Sequence, residues 1–559
     1  MTNKEIARTF RRLGEIMELH GENPFKIRSY QSAYITLRKL ETPLTDMSDA
    51  EIAAIKGVGK AIAGKIRELL DTGKMATLEK YKAMTPPGVQ EMLDIAGFGP
   101  KKIWTVWQDL GVESVGELLY AVNENRLIEL KGFGPKTQED LRQKLAYYQR
   151  TRHQFHYAAL EAPAEALLQR LQNQMPDVPL SLTGAIRRRC NVLENIEILI
   201  GTEADVASLF DEENLIKTGE TATAIQARTA EGYPVVLHRC AAAAFGSRLF
   251  RHTASPAFLE AFIQRFPGVD FKNIAEETAV FAKANLPYIA PELREVLPPE
   301  QGSYRILEQA TRGALPALLD PSDIRGIVHA HSTYSDGLHS LREMALHVRE
   351  QGFTYLGITD HSKAAFYANG LSPERVLEQW AEIDALNQEL APFRIFKGIE
   401  SDILNDGSLD YETELLQQFD FIIASVHSNL RMDAAKATQR LIAAIENPYT
   451  TILGHPTGRL LLSREGYPID YKRIIDACAA NNVAIELNAN PYRLDLDWSW
   501  IPYALERGVR MAVNPDAHSR EGIHDVRFGV LSARKGGLTA ADCINTLSIE
   551  GFARFCTKE

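Results

Sequence analysis

Two patterns of apolar and polar residues divide the chain into a helical first part and an alternating last part. Residues 1–150 contain amphipathic runs with helical spacing, and glycine-rich turns separate these runs. From about residue 325 to the end, short apolar runs that are typical of buried strands alternate with segments of helical length. This alternation predicts parallel strands that are joined by helices.

The segment between these two parts, residues 151–320, shows a mixed pattern. Residues 183–202 predict a basic loop followed by a strand, and residues 231–241 predict a second strand. The proline-rich stretch 286–302 predicts the approach to a linker near 315–325.

Each apolar run in the last part of the chain leads into a polar residue that can bind a metal ion or a phosphate. A parallel barrel presents the C-terminal ends of all its strands at one rim, so such residues would meet in a single site. Six of the seven predicted strand ends carry an imidazole or a carboxylate, whereas the remaining one carries Asn488. The runs are VHAHSTYSD (328–336), GITDH (357–361), FKGIES (396–401), IIASVHS (422–428), ILGHP (452–456), AIELNAN (484–490) and AVNPDAH (512–518).

Nine residues at these strand ends have side chains that are suited to metal binding. That number exceeds what a mononuclear centre needs, so it predicts a cluster of two or three divalent ions. Imidazole and carboxylate together suit Mn²⁺, Zn²⁺ or Fe²⁺, and the residue types do not choose among these ions. The pattern indicates a metal-dependent hydrolase. The candidate ligands are His329, His331, Asp336, His361, Glu400, His427, His455, Asp516 and His518.

A glycine device occurs three times in the first part of the chain, each time just before a predicted helix. Its copies read IKGVGKAIAGKI (55–66), IAGFGPKKIWTVW (95–107) and LKGFGPKTQEDLRQKL (130–145). Glycine permits a tight turn that points backbone N–H groups outward at a helix N-terminus, where phosphate oxygens bind. This repeated helix-hairpin-helix pattern predicts contacts with the DNA backbone that do not depend on base sequence. The residues expected to contact DNA are Gly57, Gly59, Lys60, Gly97, Gly99, Lys101, Gly132, Gly134 and Lys136.

Length and charge constrain the number of domains and the location of the protein. A chain of 559 residues exceeds one hydrophobic core and predicts roughly three to five domains. No apolar stretch approaches the roughly 20 residues that span a bilayer, and the start MTNKEIARTF lacks a signal-peptide core, so we expect a cytoplasmic protein without membrane contact. The net charge of −11 divides into +3 for residues 1–150 and −14 for the remainder. The basic first part favours a polyanion as partner.

The order of these segments resembles bacterial family X DNA polymerases, which join a polymerase core to a C-terminal PHP (polymerase and histidinol phosphatase) domain. The resemblance covers essentially the whole chain, including ENPFKIRSYQSAY (22–34) and the GVGK turn (57–60). It implies a multidomain protein with a helical helix-hairpin-helix N-terminal region, an α+β nucleotidyltransferase-like palm with thumb, and a distorted (β/α)7 PHP barrel. The implied domains are 1–80 (helical, DNA-end-binding), 81–150 (helical, fingers-like), 151–240 (palm), 241–318 (thumb-like) and 325–559 (PHP).

The palm motifs of that family are altered in this chain. Relatives carry Gly-Ser-x-Arg-Arg, an Asp-x-Asp strand and a third aspartate, and two-metal nucleotidyl transfer requires those carboxylates. Here Ala185 replaces the serine, Asn195 and Glu197 replace the aspartate pair, and Val236 replaces the third aspartate. Glu194 offers no substitute, because residues three apart on a strand face opposite sides. We therefore expect an inactive polymerase site on a palm that serves to position DNA.

The PHP part retains all of its ligand positions, and the resemblance implies how they are shared among ions. One ion is assigned to His329, His331, Glu400 and Asp516, a second to Glu400 as a bridge with His427 and His455, and a third to Asp336, His361 and His518. Lys363 and Arg459 are expected to neutralise charge on the phosphate, and Asp360 is expected to orient a histidine ligand. Metal-activated water would then hydrolyse a phosphoester.

Together these features predict a DNA-binding, metal-dependent phosphoesterase, with Mn²⁺-dependent 3′–5′ exonuclease or 3′-end processing in DNA repair as its activity. The expected partner is DNA with gaps, nicks or 3′-recessed ends, and no obligate protein partner is inferred. Lys65 lies where some relatives carry a Schiff-base lysine for abasic sugars, although phosphate binding is the favoured interpretation. Three alternatives stay open: an active polymerase with proofreading exonuclease, a small-molecule phosphatase of the histidinol-phosphate type, and a noncatalytic DNA-end-binding protein.

Overall fold

The computed structural model describes residues 1–557 except 124–126, 128–129, 131, 152–153, 212, 222, 299–304 and 463–464. The chain forms two compact units, Met1–Arg152 and His153–Glu559. Lys131 of the third glycine device and residues 299–302 of the proline-rich stretch lie outside the described residues. In the described part, no helix combines the length and the apolar character that crossing a membrane requires. The division into five domains stays a prediction.

The first unit consists of helices throughout its described residues, as the helical spacing of its apolar residues predicts. Ile6, Phe10, Leu13 and Met17 follow this spacing along the first helix, and all of them are fully buried. The helices are α1 (Asn3–Leu19), α2 (Pro24–Leu37), α3 (Asp49–Ala54), α4 (Lys60–Thr72), α5 (Ala76–Ala83), α6 (Pro87–Met92), α7 (Pro100–Leu110), α8 (Val115–Asn123) and α9 (Pro135–Thr151). The three glycine devices precede α4, α7 and α9.

The second unit begins with an α+β region. Its elements are β1 (Phe155–His156), α10 (Tyr157–Gln174), β2 (Leu180–Leu182), α11 (Gly184–Arg187), β3 (Val192–Leu193), β4 (Ile196–Ile200), β5 (Leu215–Glu220), β6 (Ala224–Thr229), β7 (Pro234–Arg239), α12 (Phe245–Thr253), α13 (Pro256–Arg265), α14 (Glu277–Lys283) and α15 (Arg305–Thr311). Five strands form a mixed sheet in the order β2-β4-β7-β6-β5, in which β4 and β7 are parallel.

The structure corrects two local predictions for this region and adds a hairpin that the sequence did not predict. The two predicted strands are present as β4 and β7, but the basic segment before β4 contains the short helix α11. The hairpin of β5 and β6 was not predicted, because β5 buries little of its length and lacks a regular alternation. The proline-rich stretch is not a linker over its described residues: Leu286, Ile289 and Leu293 belong to a hydrophobic core, and Arg294 is fully buried.

The remainder of the second unit is a parallel barrel, which confirms the predicted distorted (β/α)7 architecture. Its strands are β8 (Gly326–Ile327), β9 (Tyr355–Ile358), β10 (Arg394–Asp402), β11 (Phe421–Ser425), β12 (Ile452–Leu453), β13 (Ala484–Asn488) and β14 (Met511–Asn514). They pair in sequential order, and a parallel bridge between Ala330 and Ala517 joins the segments that follow β8 and β14. The helices of this part are α16 (Leu341–Glu350), α17 (Pro373–Leu390), α18 (Thr413–Leu416), α19 (Ala434–Ile445), α20 (Tyr471–Asn481), α21 (Ile501–Glu506), α22 (Val526–Lys535) and α23 (Ile549–Cys556).

Helix α22 connects the barrel to the α+β region through buried charges. The ammonium of Lys535 donates to the Glu295 carboxylate at 3.1 Å and to the carbonyl oxygen of Arg188 at 2.8 Å. Arg534 donates to the Glu292 carboxylate at 2.6 Å. An unpaired buried charge is costly. These contacts therefore hold α22, the turn after α11 and the segment of Glu292 and Glu295 in one arrangement.

A second charge network lies within the α+β region and centres on the Glu277 carboxylate. Arg187 donates to both of its oxygens at 2.8 Å, and the Tyr288 hydroxyl donates to it at 2.9 Å. The fully buried Arg294 guanidinium is the second ionic partner. Burial opposes ionisation of Glu277, but the two guanidinium groups outweigh burial and lower the pKa of the carboxyl to about 2.

We expect Glu277→Gln to lower the free energy of unfolding of the second unit by about 3–5 kcal/mol, because it leaves the buried Arg294 charge uncompensated. Urea denaturation followed by circular dichroism measures this change. Glu276→Gln, at an exposed neighbouring position, is the matched control and should behave like wild type.

The same pair of proteins provides a test by pH. Because the pKa of Glu277 is lowered from 4.5 to about 2, its ionic contribution is complete above pH 4.5 and is lost as the pH falls towards 2. The difference in stability between wild type and Glu277→Gln should therefore narrow over that range. A difference that stays constant would contradict the ionic role of Glu277.

Candidate metal centre

The predicted ligands converge at the rim of the barrel around the carboxylate of Glu400. Five imidazoles lie near this buried group, each supplied by the end of a strand or the loop that follows it. The distances from Glu400 oxygens to ring nitrogens are 2.9 Å for His455, 3.0 Å for His361, 3.1 Å for His427, 3.5 Å for His329 and 3.6 Å for His331.

Two further carboxylates complete the cluster. Asp516 lies 3.1 Å from a nitrogen of His331 and 3.4 Å from a nitrogen of His329. Asp336 lies 3.4 Å from His518 and 3.6 Å from His361. The side chains of Asp336 and His518 are 35% and 39% exposed, whereas Glu400 is 1% exposed, so the centre opens to solvent on the Asp336 side.

The spacing and chemistry of these donors fit a group of divalent cations. Bonds of about 2.1 Å to a shared ion place neighbouring ligand atoms roughly 3 to 3.5 Å apart, which is close to the separations found here. Among the described residues, Nε2 of His329 and Oε2 of Glu400 are buried without a hydrogen-bond partner. Both atoms point into the cluster, where a cation would satisfy them.

The structure groups the candidate ligands in a way that partly follows the assignment implied by the resemblance. Three sets have donor atoms close enough to share an ion: His331 with Asp336, His361 and His518; His329 with His331 and Asp516; and His361 with Glu400 and His427. His331 and His361 thus each belong to two sets. The distribution of ligands among ions stays a prediction.

Charge in this cluster is balanced between carboxylates and imidazoles. Burial disfavours the charged form of His427, but Glu400 and Asp402 outweigh burial and raise its pKa to about 10. Burial also disfavours the charged form of His518, but Asp336 and Asp516 outweigh burial and raise its pKa to about 9. Burial opposes the ionisation of Glu400 as well, yet the surrounding imidazoles hold its pKa well below the usual range. Divalent cations would supply the same positive charge without protons.

Two carboxylates orient ligand imidazoles, and the sequence did not indicate them. Glu486, which is fully buried in β13, lies 2.7 Å from Nδ1 of His329, the nitrogen that faces away from the cluster. Asp402 lies 3.1 Å from Nδ1 of His427. A carboxylate behind a ligand imidazole fixes the orientation of the ring and increases its basicity.

The predicted role of Asp360 in orienting a histidine is wrong. Asp360 accepts hydrogen bonds from the backbone N–H and the hydroxyl of both Ser332 and Ser335, and a further one from the Gln379 amide. These donors occupy both of its oxygens. Asp360 therefore fixes the loop that leads to Asp336 instead of contacting an imidazole.

The two cations predicted to bind phosphate lie in different surroundings. Lys363 is exposed, with its ammonium 5.6 Å from the centre of the Tyr411 ring. All three nitrogens of Arg459 meet protein acceptors: the carbonyl oxygens of Arg493 and Leu494, and the Asp497 carboxylate at 2.8 Å. This geometry disfavours a phosphate contact by Arg459 and gives it the role of supporting a loop.

Two of the altered palm positions, Glu197 and Val236, lie side by side on the half-buried face of β4 and β7. Glu197 is paired in register with Val236, and its carboxylate lies 2.9 Å from Nε2 of His238. Asn195 lies two residues before Glu197, and Ala185 lies in α11. The carboxylate of Glu197 is therefore engaged by an imidazole and faces an apolar residue at the position of the third aspartate.

The glycine devices of the first unit have the geometry of helix-hairpin-helix turns. Their first glycines have positive φ, +87° at Gly57, +72° at Gly97 and +86° at Gly132, which a glycine adopts without strain. Gly59 and Gly99 are N-caps that no side chain caps, so the N–H groups of α4 and α7 stay available to a phosphate. Lys60, Lys101 and Lys136 lie in the first turn of α4, α7 and α9. Lys65 donates a hydrogen bond to the hydroxyl of Thr77.

Comparison with known proteins agrees with this architecture. Residues 1–75 match the family described as helix-hairpin-helix domain, residues 89–146 the SAM-like helix-hairpin-helix tandem, and residues 328–490 the PHP domain. A Bacillus subtilis protein named DNA polymerase/3′-5′ exonuclease PolX is 33% identical over 576 residues, which cover 99% of both chains. A protein of Caldanaerobacter subterraneus named as a probable phosphatase is 29% identical over 205 residues, which cover 34% of this chain and 74% of that relative.

We expect Glu486→Gln to weaken metal binding by roughly 10–100-fold, because the amide no longer fixes the tautomer of His329. The metal content of the purified protein, measured after dialysis against a chelator of defined strength, tests this expectation. Glu414→Gln, at an exposed position of the barrel, is the matched control. Unchanged metal content in Glu486→Gln, with the fold intact by circular dichroism, would show that Glu486 does not support the centre.

Proposed function

This chain belongs to the bacterial family X DNA polymerases with a PHP domain, and from that membership we propose that its barrel hydrolyses DNA from the 3′ end. The proposed activity is a divalent-metal-dependent 3′–5′ exonuclease or 3′-end trimming activity, with Mn²⁺ as the favoured ion. The observation that supports it most directly is the convergence of nine candidate ligands at one rim.

The proposed ligands are the nine residues predicted from the strand ends, with Glu400 shared between ions. Divalent ions held there would activate water and neutralise charge on the phosphate. The contribution of the chain is to hold the ligands in register: Glu486 fixes His329, and Asp402 fixes His427. The open side at Asp336 and His518 is the side from which a phosphodiester would enter.

We propose that the substrate is brought to this centre by the helix-hairpin-helix turns of the first unit. Each turn combines helix N–H groups with a lysine, and both bind phosphate oxygens without regard to base sequence. DNA with gaps, nicks or 3′-recessed ends is the proposed substrate. The relative from Bacillus subtilis carries both polymerase and exonuclease in its name, which supports DNA as the substrate class.

We further propose that the palm of this chain does not polymerise DNA. Two-metal nucleotidyl transfer requires several carboxylates on one face, because hard cations bind through several oxygen ligands. At the altered positions Glu197 is the single carboxylate, and it is paired with His238. Asn195 and Val236 provide no negative charge in its place.

A 5′-labelled 3′-recessed duplex, incubated with Mn²⁺ in the presence or absence of dNTPs, tests both proposals. Wild type and Glu197→Ala should shorten the labelled strand and should not extend it. His427→Ala should lose activity by more than roughly 100-fold, because removing a ligand exceeds the roughly 10–100-fold effect of removing a group that only orients one. His524→Ala is the matched control, since His524 is an exposed histidine of the barrel.

Two results would contradict these proposals separately. Extension by wild type that Glu197→Ala abolishes would show an active polymerase site. Absence of shortening by wild type loaded with Mn²⁺ would exclude the exonuclease and favour a noncatalytic DNA-end-binding protein.

A small-molecule phosphatase is the second candidate function, because a probable phosphatase shares 29% identity with part of this chain. Reversal of charge at the turns, Lys60→Glu with Lys101→Glu, separates the two functions. An enzyme for DNA should lose DNA affinity, and the slope of log K against log salt should fall by about one for each lysine. Hydrolysis of p-nitrophenyl phosphate should not change. A phosphatase would hydrolyse such monoesters far faster than DNA in both proteins.

A further inference from the structure

We propose that the loop from Ala489 to Leu494 is the element that binds the terminal nucleotide at the metal centre. In this proposal Arg493 contacts the phosphate and Tyr492 stacks on the base. The inference rests on the proposed nuclease function. It adds an assignment of the residues that bind the end of the nucleic acid.

Both ends of the loop lie beside the candidate ligand Asp516. Asn488, the residue before it, donates from its amide to Asp516 at 2.9 Å. The Arg493 guanidinium lies 3.8 Å from the same carboxylate, and its side chain is 23% exposed. Arg493 is therefore at the wall of the centre and reaches solvent, as a phosphate-binding cation must.

The position of Arg493 is held from behind by Arg459. The guanidinium of Arg459 donates to the carbonyl oxygens of Arg493 and Leu494, and its salt bridge to Asp497 anchors the end of the segment. Asp495 accepts from the backbone N–H groups of Thr457 and Gly458 at 3.0 and 2.9 Å. Of the two arginines, Arg459 shapes the loop and Arg493 faces the centre.

Tyr492 is an exposed aromatic residue next to this cation. Its relative exposure is 58%, among the highest of the large apolar side chains in the described part of the chain. Adjacent Cα atoms are 3.8 Å apart, so Tyr492 and Arg493 are attached at neighbouring points of the same loop. The α+β region supports the ring from one side, because His156 packs edge-on against it with ring centres 4.7 Å apart.

His156 also connects this support to the loop of Arg459. Its Nε2 lies 3.0 Å from the carbonyl oxygen of Leu461, and the N–H of Leu461 donates to the carbonyl oxygen of Tyr492 at 2.7 Å. The ring is thus held in place before a ligand arrives. A preorganised aromatic surface beside a cation is the arrangement by which proteins bind single-stranded nucleic acid without reading its sequence.

The chemistry favours a nucleotide over a small phosphomonoester. Asp516 is a proposed metal ligand. A carboxylate that already neutralises a metal ion is a weaker partner for Arg493. The Arg493 guanidinium can therefore attract another anion, such as a phosphate. A phosphate alone would need only this cation. The exposed ring of Tyr492 contributes binding free energy only if the substrate carries a planar group next to the phosphate.

A pair of substrates tests the assignment in the full-length protein loaded with Mn²⁺. One is a single-stranded oligonucleotide with an ordinary 3′-terminal nucleotide, and the other ends in a 3′ tetrahydrofuran residue that lacks a base. The quantity measured is kcat/KM for release of the terminal residue. Tyr492→Ala should lower it by about 5- to 100-fold on the ordinary end, as expected for loss of one base stack. It should leave the baseless end unchanged.

Three further variants complete the design. Tyr492→Phe keeps the ring and should cut both substrates like wild type. Arg493→Met should lower kcat/KM on both substrates, with its metal content unchanged. Arg507→Met is the matched control, because Arg507, which follows α21, pairs with Asp476 of α20 at the surface, and it should cut both substrates normally.

The outcomes are distinguishable from failure of the nuclease proposal. An equal loss on both substrates in Tyr492→Ala, or no loss on either, would overturn the stacking assignment while wild type still releases nucleotides. Normal cleavage by Arg493→Met would overturn the phosphate assignment. If wild type releases nothing from either substrate, the nuclease function and this inference both fail.

Discussion

The carboxylate of Glu400 lies at the middle of the barrel rim and has almost no access to water. Its burial is the constraint that the other side chains of the rim must satisfy. Removing a single ionised carboxylate from water costs several kcal/mol unless positive charge surrounds it. Five imidazoles within 3.6 Å provide that charge, either as protonated rings or as ligands of cations. They come from separate parts of the sequence, so only a register that brings all strand ends to one rim makes this burial tolerable.

The convergence of the candidate ligands could be predicted because each one belongs to a local pattern. A short apolar run followed by His, Asp or Glu is visible without knowledge of the fold, and the barrel rule then brings these residues together. The role of Glu486 could not be predicted in this way. Glu486 contacts His329, which lies 157 residues earlier in the chain. In the sequence it is a single polar residue inside the apolar run AIELN. Its contact with His329 depends on the register of β13 and β14 and on the bridge between Ala330 and Ala517, and not on any spacing along the chain.

Residue type also could not show where a long side chain points. Arg459 and Arg493 both follow strand ends, and either one could bind a phosphate by its chemistry. The structure separates them, because Arg459 donates to the backbone of the loop that carries Arg493. The prediction that the proline-rich stretch near Arg294 approaches a linker is wrong for a similar reason. Proline and charge suggest a linker, but a charge can be fully buried when Glu277 is its partner.

The α+β region supports the barrel through contacts that do not involve the altered positions Asn195, Glu197 and Val236. Arg187 anchors the Glu277 network, and the carbonyl oxygen of Arg188 receives the Lys535 ammonium from α22 of the barrel. The first strand of the same region supplies His156, which supports the ring of Tyr492 beside the metal centre. Removing the α+β region would therefore leave the buried Lys535 ammonium without its partners and expose the back of the Ala489–Leu494 loop. The α+β region supports the wall of the centre through His156, Arg188 and Glu295, and these contacts place no demand on the residue types at Asn195, Glu197 and Val236.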